Sequence, residues 1–280
     1  MTARAGARGW VDIGKATFKE FNEDRIPAVA AGSTFYALLA VFPALGAFVS
    51  LYGLISDVGA VQKQIASLTW VLPGGAISVI GDQMTRLATA DHGGLGLALA
   101  VSLALSILSS NAGMKGLIAG LNIAFEQKET RGFIKLNLVS LGFTVAGIAF
   151  TVMGLASVMA APALLRALGL DVGGLLSLLR WPVMLAVVVL LLSVLYRFAP
   201  AGRVGQWRWV TPGAAVAAVG WVVMSIGFSW YVAHFGHYNA TYGSLGAVIG
   251  FMTWLWLSLI VVLLGAEFDS ELAERASRRE

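Results

Sequence analysis

The chain has 280 residues, of which 58% are hydrophobic and 12% charged, and its mean hydropathy is +0.80. A water-facing domain carries about twice that charged share, so the composition is that of an integral membrane protein. The net charge is +4, and the absence of cysteine excludes disulfides, thiolate metal sites and a cysteine nucleophile.

Residues 1–27 precede the first long apolar stretch. Trp10, Ile13, Phe18 and Phe21 recur at near-helical spacing among Asp12, Lys15, Lys19 and Glu20. The pattern predicts an amphipathic helix, lying on the inner membrane surface or packed beneath a helical bundle. No short apolar core with a small-residue cleavage site precedes the first span, so a cleavable signal peptide is not expected.

Six stretches then reach the roughly 20 apolar residues that a bilayer-crossing helix needs. They fall at 28–55, 95–124, 136–161, 177–198, 210–233 and 243–266, with a polar tail at 267–280. Their glycines and serines suit close helix packing, and the runs lack the alternation of an outer-membrane barrel. In the first span Tyr36, Pro43 and Ser50 lie seven apart, and Pro43 should kink the helix by removing a backbone bond. The connection 56–94 carries two short helical patterns separated by Pro73-Gly74-Gly75, which predicts a hairpin on the outer side. The expected architecture is an all-α bundle of six transmembrane helices with that hairpin and the N-terminal amphipathic helix.

Charge sets the orientation. Of the 19 Lys and Arg residues, 14 fall in the N-terminal segment, the second and fourth connections and the tail. The opposite loops hold Lys63, Arg86, Arg166 and Arg180. The positive-inside rule therefore puts both termini in the cytoplasm, and the basic balance needs no nucleic-acid partner.

The second span carries most of the polar chemistry. Asn111, Lys115 and Asn122 share an arc of about 40° on a helical wheel, with Gly113, Gly116 and Gly120 on the opposite face. Gly116 and Gly120 form one small-residue packing motif, and Gly246 and Gly250 in the sixth span form another. A lysine at this depth costs roughly 2.5–3.5 kcal/mol on insertion scales, so it should face a cavity, pair with a carboxylate or snorkel. Glu267, at the inner end of the sixth span, is a candidate partner for Lys115 or Arg197. The substrate-cavity candidates are Asn111, Lys115, Asn122, Tyr36 and Ser33.

Other signals are sparse. His234 and His237 lie near Tyr238 without a third metal ligand, and Asn239-Ala240-Thr241 fits a glycosylation sequon. No phosphate-binding loop, nucleophile elbow, zinc-protease motif or dinucleotide fingerprint is present, and no cofactor is implied.

Several segments together resemble the YihY/BrkB family of bacterial inner-membrane proteins. The first runs from Ala30-Ala31-Gly32-Ser33-Thr34-Phe35-Tyr36 to Pro43, and the others are Leu121-Asn122, Tyr196-Arg197-Phe198-Ala199-Pro200, Tyr242 to Ala247, and Leu264-Gly265-Ala266-Glu267. The resemblance covers nearly the whole chain. It implies six spans, a bacterial inner membrane and a transport role, and it brings two family labels, virulence factor and, historically, ribonuclease BN. Ribonuclease chemistry needs a metal cluster or a paired acid and base, and the three histidines and scattered carboxylates offer neither.

The leading expectation is a transporter or exporter of a small anionic or zwitterionic solute, or of a lipid-linked precursor, through a polar cavity between the helices. The alternative is a non-transporting membrane scaffold or envelope-integrity factor. Membrane lipid is the expected environment, and the two glycine motifs leave a homo-oligomer open.

Overall fold

A computed structural model describes residues 7–55, 92–167, 173–202, 210–235 and 244–277. Seven helices account for almost all of them: α1 (Ala7–Glu23), α2 (Ile26–Ile55), α3 (His92–Ala124), α4 (Phe133–Ala167), α5 (Gly173–Phe198), α6 (Pro212–Phe235) and α7 (Ser244–Ser277). Each span expected from the sequence falls on one of α2 to α7. Four described stretches are long and apolar enough to cross a membrane: Ala100–Ala124, Phe133–Phe150, Pro212–His234 and Val248–Ser277. Ile26–Ala40 and Leu185–Phe198 are shorter apolar stretches. The expected hairpin at 56–94 lies, but for its last residues, outside the described residues, as do His237, Tyr238 and the sequon at 239–241. The side chains of Pro43 and Ser50 lie outside them as well.

Apart from the amphipathic α1, the helices are apolar nearly all round. Leu138, Val223 and Ile226 are each more than 60% exposed. Exposed branched apolar side chains at that density need a lipid environment, and only a helix satisfies its own backbone there.

Local chemistry explains the helix boundaries. Arg25 and Glu126, both at φ 51°, end α1 and follow α3 in the left-handed conformation that glycine usually supplies. At the second turn the Glu126 amide donates to the Ile123 carbonyl and the Gln127 amide to that of Asn122, a Schellman closure. Pro27 sits in the first turn of α2, where its missing N–H leaves no bond unmade. Thr211 caps α6: its hydroxyl accepts from the Ala214 amide at 3.1 Å, with Pro212 as the first helical residue.

The chain divides into two compact units. One comprises Met1–Ala30, Met114–Val223 and Ile260–Glu280; the other comprises Ala31–Gly113 and Met224–Leu259. In the first unit, α6 and α7 approach through small residues, with Ala214, Ala217, Ala218 and Ala266 buried. A Cβ on Gly265 would stand 2.6 Å from both the Ala217 Cβ and the Gly213 carbonyl oxygen. A Cβ on Gly120 would stand 3.0 Å from Leu263 and 3.1 Å from Val29, so α3 packs on α7 and α2 there.

In the same unit α1 lies against the end of α7. Trp10 stacks on Phe268 with ring centroids 6.2 Å apart, and Arg275 donates to the Asp12 carbonyl at 2.9 Å. Ile13 and Thr17 are buried, while Trp10, Val11 and Phe18 are exposed. The amphipathic pattern is used on both sides, with one edge on protein and an apolar edge left bare.

In the second unit, a Cβ on Gly113 would stand 3.3 Å from the Ala37 amide, so α3 meets the α2 backbone where it has no side chain. The Ser106 hydroxyl donates to the Ala40 carbonyl at 3.4 Å, and the Trp254 indole donates to the Ser225 hydroxyl at 3.2 Å.

Candidate functional site

Much of the polar chemistry of the first unit gathers where residues 125–132 and 199–202 meet the end of α3. Asn122, in the last turn of α3, is the hub. Its side-chain oxygen accepts from the Ala201 amide at 2.7 Å, and its side-chain nitrogen donates to Glu129 at 2.9 Å. Glu129 in turn accepts from Arg131 at 2.8 and 2.7 Å, one bond to each carboxylate oxygen. Asn122 thus clips both loops to one helix end.

This clip has a pH signature. Hydrogen bonding from Arg131, with the Asn122 amide adding to it against the opposing effect of burial, holds the Glu129 carboxyl down at about 2 against an ordinary 4.5. A depressed folded-state value means the stabilisation is present above pH 4.5 and is lost as pH falls toward 2. Glu129→Gln should therefore lower the unfolding temperature at neutral pH, and the gap to the wild type should close between pH 4.5 and pH 2. Thermal melts across that range check it.

A second knot joins α5, α6 and α7. The buried Tyr196 hydroxyl donates to the Val262 carbonyl, and the Gly213 amide donates to Asp269 at 2.6 Å. The Phe125 ring packs edge-on against Tyr196 with centroids 6.0 Å apart.

Beside these knots opens a cavity of about 210 Å3, lined by Glu20, Asp24, Ile123, Glu126, Glu267, Ser270, Glu271 and Glu274. Six of the eight are carboxylates, drawn from the end of α1 and the turn after it, the turn after α3, and α7. Glu267 is 3% exposed, and its Oε1 has no hydrogen-bond partner. Glu271 meets Arg275 at 3.6 Å. Partial burial, and after it the neighbouring Glu23 carboxylate, push the Glu20 carboxyl above its ordinary 4.5. Among the described residues no three acidic or histidine groups converge closely enough to hold a metal ion.

The cavity candidates expected from the sequence divide between the units. Ser33, Tyr36 and Asn111 belong to one, Lys115 and Asn122 to the other. Ser33 and Asn111 are buried, whereas Tyr36 is 44% exposed. Lys115 is half-buried, and its ammonium lies 5.8 Å from the centroid of the exposed Phe133 ring at the start of α4. That is within reach of a cation–π contact. Lys115→Met should then cost less than about 1 kcal/mol of stability, because no carboxylate is stranded. A detergent melt that falls by several kcal/mol would instead reveal a buried ion pair.

Glu267 sits among carboxylates, and Arg197 is half-buried in the last turn of α5. Gly116 and Gly246 are half-buried, and open space surrounds the position of a Cβ on Gly250. Sequence reasoning passed over Glu20, Asp24, Glu126, Glu271 and Glu274. The signal was available in two places: Glu267, Glu271 and Glu274 at i, i+4 and i+7 on one helical face, and Glu20 and Asp24 four residues apart at the end of the N-terminal helix.

Comparison with known proteins adds a family. The chain is 30% identical over 279 residues to the putative ribonuclease-like protein YfkH of Bacillus subtilis, an alignment covering 93% of this chain and 95% of that one. A UPF0761 membrane protein of Tolumonas auensis is 42% identical over 102 residues, covering 36% of this chain and 32% of that protein. A UPF0761 membrane protein of Methylibium petroleiphilum is 24% identical over 92% of this chain and 61% of its own length. The chain thus spans less than two thirds of the UPF0761 proteins it matches here. No solved structure matches. The family model described as virulence factor BrkB matches residues 17–280, and this membrane protein belongs to the BrkB family.

Proposed function

We propose that this protein is a transporter or exporter in a bacterial inner membrane, and that the acidic cavity of its first unit is the cytoplasmic mouth of its path. One observation carries the reading: a carboxylate buried to 3% exposure, with one oxygen unpartnered, in a roomy recess at the boundary of a membrane helix. A buried ionisable group in or near a span is expensive to keep unless it serves a ligand or a proton. The acidic lining favours a zwitterionic or amine-bearing cargo over an anionic one, through simple repulsion. Lys115, resting on Phe133, then acts as an anchor at the interface, and Asn122 as the clip that holds the mouth in shape.

The orientation follows from the 14 positive charges on the loops and tails of this side. The absence of native cysteine allows a direct check. A cysteine at Gly132, where a side chain meets open space, should escape a membrane-impermeant thiol reagent in intact cells and react in inside-out vesicles. Labelling in intact cells would reverse the topology.

Transport itself is tested with the purified chain in sealed lipid vesicles and a panel of small zwitterions, amines and lipid-linked headgroups. A transporter moves at least one of them faster than protein-free vesicles leak it. A scaffold leaves the vesicles as tight as the control for every member, and that result would favour the alternative function.

A further inference from the structure

We propose that the acidic recess binds an elongated aliphatic di- or polyamine, with Glu267 at its floor accepting a hydrogen bond from one ammonium group. This names a cargo class for the transport reading and rests on it. The lining supplies six carboxylates and no Lys, Arg or His. By itself an acidic patch of this kind would be a solvated surface. Glu267 makes the difference, since its Oε1 is shut away from water and has no donor. That oxygen forfeits its hydration without a donor in return, so an entering N–H or O–H group would satisfy it.

The arrangement of the carboxylates selects the ligand. They come from three separate elements and surround about 210 Å3, and among the described residues no three converge on one point as a bare metal ion requires. Separated acceptors around an open volume match separated ammonium groups on a chain. Ile123, the one large apolar side chain of the lining, offers a wall for the methylenes between them. Arg275, 3.6 Å from Glu271 and also bonded to the Asp12 carbonyl, ties α7 to α1 at the rim.

The test is a calorimetric titration of the detergent-purified full chain with spermidine, repeated with magnesium chloride. Saturable spermidine binding is expected, weakened about tenfold or more by Glu267→Gln through loss of the buried acceptor. Glu126→Gln, at an exposed lining position, should weaken it as well. Glu23→Gln should not, because Glu23 is exposed, pairs with Lys19 at 3.4 Å and is absent from the lining. No saturable binding, equal binding by wild type and both lining variants, or magnesium binding as tight as spermidine would each overturn the proposal. Saturable spermidine binding with no vesicle flux of any panel member would sink transport and leave the site standing. Flux of another solute without spermidine binding would do the reverse.

Discussion

Gly265→Ala should destabilise the protein by about 2–4 kcal/mol, combining the cost of overpacking with a disturbed buried hydrogen bond. The added methyl would stand 2.6 Å from the Ala217 Cβ, 2.6 Å from the Gly213 carbonyl oxygen and 2.7 Å from the Tyr196 hydroxyl. Two of those three atoms belong to the helix α6 at its closest approach, and a backbone carbonyl cannot swing aside as a long side chain can. The third is the group that donates to the Val262 carbonyl, so relief in that direction strains the α5–α7 bond. Gly250→Ala, on the same helix, meets nothing within 4 Å. It should stay within about 0.5 kcal/mol of the wild type. Thermal unfolding in one detergent reads both variants, and equal melting of the two would mean that α6 and α7 do not touch at Gly265.

Tyr196→Ala should cost about 3–5 kcal/mol, the range for deleting a fully buried aromatic ring. Tyr196 is 1% exposed, packs edge-on against Phe125 and holds Val262 through its hydroxyl. Tyr196→Phe isolates the hydroxyl and should cost about 1 kcal/mol. Together they divide the knot into ring packing and hydrogen bond. A Tyr196→Phe loss as large as the alanine loss would place most of the stabilisation in the hydroxyl.

Much of the fold was legible because lipid imposes simple rules. Long apolar runs become helices, and the stretches at 28–55, 95–124 and 210–233 agree with α2, α3 and α6 to within a few residues. The N-terminal helix was legible from the spacing of Trp10, Ile13 and Phe18, and the structure places it against Phe268. The site was harder. Asn122 is a polar residue in an apolar helix, and composition alone gives it a cavity to face. Its partners, Glu129 and the Ala201 amide, are set by where two loops fold back, and no helical periodicity encodes that. Lys115 reads as a buried charge until the length of its side chain and the position of Phe133 are known. The recess was overlooked for a different reason. Its carboxylates are spread over three segments, and at the end of an apolar helix each looks like an ordinary solvated group.

The most direct measurement is vesicle flux by the wild type against Glu267→Gln, with both proteins shown to unfold at the same temperature. Neutralising a buried carboxylate that has an unpartnered oxygen should leave the fold intact, because it removes a desolvation cost without breaking a bond made by that oxygen. The account predicts that the wild type moves at least one zwitterionic or amine-bearing solute faster than protein-free vesicles leak it, and that Glu267→Gln falls close to the leak. Wild-type and Glu267→Gln vesicles that match each other, whether both transport or both stay tight, would contradict it.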